Sequence, residues 1–331
     1  MIDKMNSQLM KSLQNKPLAF SSDKSLVAAS SRKPLSAKDG SLLNIEIFDS
    51  NTNDDSPILL FTHGIGASAE TLGIQAIVAA AKEHKVKVAV LELEGHGLSS
   101  GQRLVCGSFD RLLGHVLEFV KHSVPVLRGT ASSSSSSSSS EAPFFIAGNS
   151  LGGALSIYAA EEMSKNENSY PSNFGGLATI CPAVGVDKHA VPSPLIVKCL
   201  SLLSFVAPAA QLSLTPLEEP ESYNCPADSE RNFAGHWPLS TSKMLLDVTS
   251  SRIPYDRKNG DLPLQGIKHV LMIGAEKDHV VPIDEITAYF KQIKSSDKKL
   301  VAVPNAGHDI LFKKEFSKIV TETLFEWIFS E

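Results

Sequence analysis

The sequence predicts an α/β fold in which helices flank a mostly parallel central sheet and a helical cap is inserted late in the chain. Short apolar runs of strand character alternate with segments of helical periodicity, and this alternation is typical of parallel sheets. Between residues 184 and 262 the alternation stops, and a segment rich in Pro and Leu takes over. With 331 residues, 42% of them hydrophobic, the chain can bury one large core that carries an insertion.

The charge and the cysteines of the chain argue against several kinds of partner. The formal net charge is −5 and no long run of Lys or Arg occurs, so we expect no nucleic-acid partner. The four cysteines lie far apart, with no C-x-x-C pair and no His at metal-ligand spacing (Cys106, Cys181, Cys199 and Cys225). We therefore expect free thiols in a reducing compartment, and neither a metal ion nor an organic cofactor.

Residues 1–35 are predicted to form a flexible N-terminal extension. They contain many serines but no unbroken apolar stretch of the kind that directs secretion, so we expect a cytoplasmic location. An organelle transit peptide remains an alternative. Asp3 and Asp23 argue against it, because such peptides are poor in acidic residues.

The first part of the core is predicted over residues 36–183. Its strands are one alternating segment and four continuous apolar runs, at residues 42–48, 57–64, 86–91, 144–148 and 176–180. Apolar residues spaced three and four apart predict the helices between them, at residues 75–85, 109–122 and 150–163. Residues 129–141 contain an unbroken serine tract and are expected to be a disordered surface loop.

The cap is predicted over residues 184–262, and the second part of the core over residues 263–331. The second part contains two strands and two helices, at residues 268–274, 299–303, 284–294 and 315–329. Within the cap, residues 194–210 are strongly apolar, and Lys198 is their only charge. This segment is too short to span a bilayer, so it is interpreted either as a lid that rests on a membrane surface or as a helix packed on the core.

Ser150 is the candidate nucleophile. Residues 148–153 read GNSLGG and fit the pattern G-x-S-x-G, in which the glycines permit a strained turn between a strand and a helix. A predicted strand precedes this turn and a predicted helix follows it. The hydroxyl is therefore expected above the sheet edge, near the free N–H groups of the helix N-terminus.

A serine hydroxyl needs a base within hydrogen-bond reach and an acid that orients the base. His308, after the last predicted strand, is the candidate base, and Asp278, after the strand at residues 268–274, is the candidate acid. Glu276 is a competing carboxylate. Asp309 is set aside, because a carboxylate adjacent in sequence to the histidine does not usually reach its far ring nitrogen.

The oxyanion of a tetrahedral intermediate needs two N–H donors. The backbone of Leu151, directly after the nucleophile, is expected to supply one. The HGIG loop at residues 63–66 follows the first buried strand, and the backbone N–H of Ile65 is expected to supply the other. His63 is interpreted as a brace for this loop.

The HGIG loop, the EGHGLSSG segment at residues 94–101, the GNSLGG turn, Asp278 and His308 together look like the monoacylglycerol lipase-like branch of the α/β-hydrolases. The resemblance covers residues 37–330. It implies the α/β-hydrolase fold and a serine esterase that cleaves monoacylglycerols, lysophospholipids or similar single-chain lipids through an acyl-enzyme.

Two kinds of departure from that branch keep the substrate open. Asn149 and Leu151 flank the serine where the branch more often has His or Glu and Met, and Glu92 stands where it usually has Asp. The cap has no convincing match to the residues that line the acyl tunnel. A short-chain or aromatic carboxylesterase, a thioesterase, an acyltransferase and a non-catalytic receptor for a hydrophobic ligand therefore remain alternatives.

Overall fold

The computed structural model describes residues 30–49, 52–129, 141–187, 191–211, 237–311 and 313–330. Its strands, in chain order, are β1 (Ser31–Arg32), β2 (Leu35–Ser36), β3 (Leu42–Leu43), β4 (Ile45–Phe48), β5 (Ile58–Thr62), β6 (Lys87–Leu91), β7 (Phe144–Asn149), β8 (Phe174–Ile180), β9 (His269–Ala275) and β10 (Asp297–Val303).

Helices connect most of these strands. In chain order they are α1 (Leu72–Glu83), α2 (Phe109–Leu127), α3 (Leu151–Lys165), α4 (Pro194–Val206), α5 (Leu239–Asp247), α6 (Ile253–Asn259), α7 (Ile283–Gln292) and α8 (Lys314–Ile328). A π-helical turn, Val248–Arg252, joins α5 to α6.

Eight of the described strands form one sheet in the order β1-β4-β6-β5-β7-β8-β9-β10, while β2 and β3 form a separate antiparallel pair. From β6 to β10 all neighbours run parallel, whereas β1 and β4 are antiparallel to their neighbours. The carboxyl ends of the parallel strands therefore meet at one edge, where ligands bind in sheets of this kind. The predicted fold class, a mostly parallel sheet flanked by helices, is confirmed.

Both faces of the sheet are covered. Along β5, Ile58 and Leu60 contribute to one hydrophobic core, and Leu59 and Phe61 contribute to the other. Successive side chains of a strand point to opposite faces, so a strand covered on both sides must be apolar at every position. This explains why the central strands were recognisable as continuous apolar runs.

The first residues of the described chain correct one boundary. We predicted a flexible extension through residue 35, but β1 lies at the edge of the main sheet, paired with β4. The reason is the buried carboxylate of Glu46, which accepts hydrogen bonds from Ser30 and Arg32. Residues 1–29 lie outside the described part of the chain, as do residues 130–140 of the predicted serine-rich loop.

Between β8 and β9 the described chain contains α4, α5, the π-helical turn and α6. This is the position predicted for the cap, although residues 188–190 and 212–236 lie outside the described part. The boundaries at residues 184 and 262 stay a prediction. No helix in the described ranges combines the length and the apolar character needed to cross a membrane.

Candidate active site

Ser150 lies at the turn between β7 and α3. Its φ of 52° and ψ of −117° are unfavourable for a residue with a Cβ atom, and such strain needs support from the surroundings. That support comes from the backbone, because the N–H of Ser150 donates to the carbonyl of Ile180 (2.9 Å) and its own carbonyl accepts from Ala183 (3.0 Å). The strained turn is thereby fixed to the end of β8.

The glycines of the GNSLGG turn allow close backbone contacts. A Cβ atom on Gly152 would overlap the carbonyl oxygens of Thr62 and His63, and one on Gly148 would overlap the carbonyl of Gly152. The start of α3 therefore lies directly against the end of β5. Because of this contact, the helix N-terminus and the loop after β5 approach the same point above the sheet.

Ser150, His308 and Asp278 form a continuous chain of hydrogen bonds. The Nε2 atom of His308 lies 3.0 Å from the hydroxyl oxygen of Ser150, and its Nδ1 lies 2.8 Å from the carboxylate of Asp278. A carboxylate can only accept, so Nδ1–H donates to Asp278 and Nε2 carries the lone pair that accepts from the serine. This is the tautomer that a general base for Ser150 requires.

The loops that carry the acid and the base are joined. The N–H of Lys277 donates to the carbonyl of Ala306 (2.8 Å), two residues before His308. The side chain of Asp278 is fully buried, and its Oδ1 accepts from the backbone N–H groups of Val280 and Val281, both at 2.8 Å. The carboxylate therefore has little freedom to turn away from the imidazole.

The two competing carboxylates lie elsewhere. Glu276 is exposed to solvent and is not the hydrogen-bond partner of His308 in the structure. Asp309 forms an ion pair with Lys313 at 3.0 Å. The geometry thus selects Asp278 as the partner of His308.

The HGIG loop approaches the nucleophile closely. A Cβ atom on Gly64 would lie 3.0 Å from the Cβ atom of Ser150. The neighbouring residues Ile65 and Leu151 are the predicted oxyanion donors, and Leu151 is the first residue of α3. The N–H groups of the first helical turn have no partner within the helix, which leaves the backbone of Leu151 suited to binding an anion.

His63 braces this loop, as we interpreted it from the sequence. The N–H of Leu93 donates to its Nε2 (3.2 Å), so its proton is on Nδ1, which donates to the carbonyl of Gly64 (2.7 Å). Burial, aided by the nearby His96, lowers the pKa of His63 to about 3. A histidine that stays neutral and fully hydrogen-bonded is a structural element.

Glu92 joins the chain just after the HGIG loop to distant segments, a role that its sequence position alone did not indicate. Its buried carboxylate accepts from the N–H of Ala69 (2.9 Å), the amide of Asn44 (2.9 Å) and the N–H of Leu98 (2.7 Å). A Cβ atom on Gly97 would overlap this carboxylate. Glu92 therefore ties Ala69 to the EGHGLSSG segment through Leu98, and the second glycine of that segment, Gly97, makes room for the carboxylate.

Cys181 is a neighbour of the triad that the sequence did not reveal. Its sulfur, a carboxylate oxygen of Asp278 and a ring nitrogen of His308 lie within 4.8 Å of one another. This is the one group of three potential metal ligands among the described residues, and it overlaps the triad. The expected absence of a metal ion stays a prediction.

Part of the chain is similar in sequence to a curated protein. A curated monoglyceride lipase of Rattus norvegicus is 31% identical over 118 residues, which is 36% of this chain and 32% of the rat protein. The match thus spans about a third of that relative's length.

Two solved lipase structures share the fold. A soluble variant of the monoglyceride lipase of Saccharomyces cerevisiae, in complex with a substrate analog, has a TM-score of 0.68 at 14% identity, covering 94% of this chain and 98% of the other. The monoacylglycerol lipase of Paleococcus ferrophilus has a TM-score of 0.63 at 19% identity, covering 86% and 98%.

A family model extends the comparison along most of the chain. The Hydrolase_4 model, described as "Serine aminopeptidase, S33", matches residues 54–315. This range contains the loop after β5, the strained serine and both of its predicted partners. Since the match covers well over half of the chain, the protein belongs to the Hydrolase_4 (serine aminopeptidase, S33) family and has the α/β-hydrolase fold.

Proposed function

We propose that this protein is a serine ester hydrolase with Ser150 as nucleophile, His308 as base and Asp278 as the acid that orients it. The observation that carries the proposal is the chain of hydrogen bonds from serine to imidazole to carboxylate, with distances of 3.0 and 2.8 Å. The required tautomer is enforced, because the carboxylate can only accept the Nδ1 proton.

The geometry supports a two-step reaction. The Ser150 oxygen attacks the ester carbonyl while Nε2 of His308 takes the hydroxyl proton, and the imidazolium that forms lies against the buried charge of Asp278. The tetrahedral intermediate collapses, and His308 returns the proton to the departing alcohol. Water then repeats the sequence on the acyl-enzyme, which releases the carboxylic acid and restores Ser150.

The negative oxygen of the intermediate is proposed to bind the backbone N–H groups of Ile65 and Leu151. Two features support this assignment: the close approach of Gly64 to Ser150 and the place of Leu151 at the N-terminus of α3. The neutral His63 fixes the peptide between Gly64 and Ile65, because its Nδ1–H donates a hydrogen bond to the carbonyl of Gly64. Neither donor depends on a side chain that a substitution could remove.

The proposed substrates are monoacylglycerols or similar single-chain acyl esters. The rat relative is named as a monoglyceride lipase, and its similarity over about a third of its length supports this substrate class. The cap supports it independently. Helix α4 has no buried residue, and its largest side chain, Phe205, is 87% exposed.

We also propose that α4 contacts a membrane surface, from which acyl chains enter. Leu195, Leu202, Phe205 and Val206 all expose about two thirds of their surface or more. Surfaces of this kind mark membrane or partner contacts. The free thiols of the described cysteines suit a cytoplasmic location.

Vesicle binding tests the membrane contact. We expect the double variant Leu202→Ser/Phe205→Ser to lose co-sedimentation with phosphatidylcholine vesicles. The matched control changes Leu72 and Phe329, which are about half exposed and lie outside the cap, to Ser and is expected to keep it. Equal binding by all three proteins would contradict the proposal.

The reaction itself is tested with a panel of substrates: long and short monoacylglycerols, lysophosphatidylcholine, p-nitrophenyl acetate, an acyl thioester and an aminoacyl p-nitroanilide. The last compound is included because the family description names an aminopeptidase. We expect long monoacylglycerols to be cleaved fastest and Ser150→Ala to abolish the activity. Hydrolysis of the anilide alone would replace the esterase proposal, and activity that survives Ser150→Ala would overturn the mechanism.

A further inference from the structure

Cys181 occupies a constrained position directly after β8. Its side chain is wholly buried, and its backbone adopts a φ of 42°, which is unfavourable for a residue with a Cβ atom. The backbone N–H donates to the carbonyl of Ile273 at 2.7 Å, so the residue is tied to β9. Strained residues of this kind cluster at functional sites.

The thiol lies between the end of β9 and the acid of the triad. Its sulfur lies within 4.8 Å of a carboxylate oxygen of Asp278 and of a ring nitrogen of His308. A carboxylate only accepts, so the thiol is the donor in a hydrogen bond between Cys181 and Asp278.

The carboxylate of Asp278 has room for this donor. An ionised carboxylate offers about four acceptor sites. Three are filled by Val280, Val281 and His308, and the side chain has no exposure through which water could fill the fourth. The thiol is therefore a donor group close to an acceptor site that solvent does not reach.

The thiol also keeps its proton. Burial, and then the charge of Asp278, raise the pKa of Cys181 well above its usual range. The group is thus a neutral donor throughout the pH range in which a histidine base works, and it adds no negative charge beside the carboxylate.

We propose that Cys181 is a positioning residue of the triad, whose S–H donates to the Asp278 carboxylate and holds it in the orientation that keeps His308 directed at Ser150. This inference rests on the proposed function. It assigns to the end of β8 a fourth side chain that acts through the acid and does not touch the substrate.

Removal of the donor has two expected consequences. The carboxylate loses a support, so His308 is less well aligned and the serine less reactive. The carboxylate also keeps more negative charge on the oxygen that faces the imidazole, which favours the imidazolium. The low-pH side of the activity profile (its acid limb) is therefore expected to move to higher pH.

The test measures the rate constant for inactivation by a fluorophosphonate between pH 5 and pH 9, which requires an activated serine but no known substrate. The variants are Cys181→Ala, which removes the donor, and Cys181→Ser, which keeps one. The matched control is Cys106→Ala, because Cys106 is also a free, fully buried thiol but lies outside the triad, where its backbone N–H donates to the hydroxyl of Thr241.

We expect Cys181→Ala to react about threefold to tenfold more slowly at pH 8, with its acid limb raised by about half a pH unit. Cys181→Ser should react nearly as fast as the wild type, with its acid limb at or below the wild-type position, because a hydroxyl is the stronger donor. The acid limb of Cys106→Ala should lie at the same pH as that of the wild type.

The outcomes separate the two proposals. A wild-type protein that no fluorophosphonate labels would overturn the proposed function. If the wild type is labelled but the acid limbs of Cys181→Ala and Cys106→Ala lie at the same pH, only the role of Cys181 is overturned. If Cys181→Ala does not fold, Cys181→Ser alone decides: an acid limb at higher pH than that of the wild type contradicts the inference.

Discussion

The segment from β7 through α3 and the cap helix α4 are both rich in apolar residues, but they bury them very differently. All six residues of β7 and twelve of the fifteen in α3 are buried, whereas no residue of α4 is. The packing of β7 and α3 therefore fixes the position of Ser150, which lies between them. No comparable packing fixes α4.

This difference separates chemistry from specificity. The groups proposed to carry out the reaction are held in place by the backbone: Ser150 is hydrogen-bonded to Ile180 and Ala183, and the Asp278 carboxylate accepts from Val280 and Val281. The surface proposed to meet the lipid is free to adapt. Four predictions test the contrast, beginning with the change that should matter most.

Removal of the charge on Asp278 should have the largest effect. Asp278→Asn keeps the size of the side chain but lets His308 adopt the wrong tautomer, so kcat should fall about ten-thousand-fold. Steady-state kinetics on the best ester of the panel measures this. Asp309→Asn, which loses only the ion pair with Lys313, is the control and should stay close to wild type. A mild Asp278→Asn phenotype would show that the acid has been misassigned.

The next prediction concerns the close contact beneath the nucleophile. In Gly152→Ala the new Cβ overlaps two carbonyl oxygens of the loop after β5, so the free energy of unfolding should drop by about 1–3 kcal/mol or more. Gly114→Ala in α2 is the matched control. A Cβ there meets nothing within 4 Å, and the change should stabilise the helix by about 0.5–1 kcal/mol. Urea unfolding compares them, and equal effects would refute the tight contact.

His63 should make the core sensitive to acid. In the unfolded chain a histidine binds its proton near pH 6.5, but burial lowers the pKa of His63 to about 3 in the folded state. Below pH 6.5 the unfolded state therefore binds a proton that the folded state refuses, and at pH 5 this costs about 2 kcal/mol of stability.

Urea unfolding of the wild type and His63→Gln at pH 7 and pH 5 measures this contribution. The wild type's excess in free energy of unfolding over His63→Gln should shrink by about 2 kcal/mol between pH 7 and pH 5. An advantage that stays constant, or grows, would mean that His63 accepts a proton in the folded protein.

The smallest effect is expected in the cap. Leu202→Ser and Phe205→Ser should each change the free energy of unfolding by less than about 0.5 kcal/mol, because both side chains are exposed. Leu155→Ala, at a fully buried position of α3, should cost about 2–5 kcal/mol. A comparable loss from the cap variants would mean that α4 is packed on the core, the other interpretation of its sequence.

The sequence was informative where burial on both faces leaves a continuous apolar run. It therefore predicted β5, β7 and β9 within a few residues, and with them the places of the HGIG loop, Ser150 and Asp278, each of which closely follows one of these strands. It predicted that the HGIG loop supplies an oxyanion donor, and the structure brings Gly64 of this loop close to Ser150. Edge strand β1 was missed, since its pairing depends on a buried Glu46 that no local pattern reveals.

The contacts that cross between distant segments could not be predicted. Cys181 meets Asp278 only because β8 and β9 are neighbours in the sheet, and nothing in the local sequence of either residue indicates the other. Glu92 likewise joins segments that lie far from it along the chain, as its bonds to Asn44 and Ala69 show. Long-range polar contacts of this kind depend on strand order, which local periodicity does not specify.

Localised labelling of the nucleophile tests the central claim most directly. The protein is treated with a long-chain fluorophosphonate and digested, and the modified peptide is identified by mass spectrometry in the wild type and in Ser150→Ala. We predict one adduct per chain, located on Ser150, and none in the variant. An adduct at another residue, or a folded wild type that remains unlabelled, would contradict the assignment of this chain as a serine hydrolase that acts through Ser150.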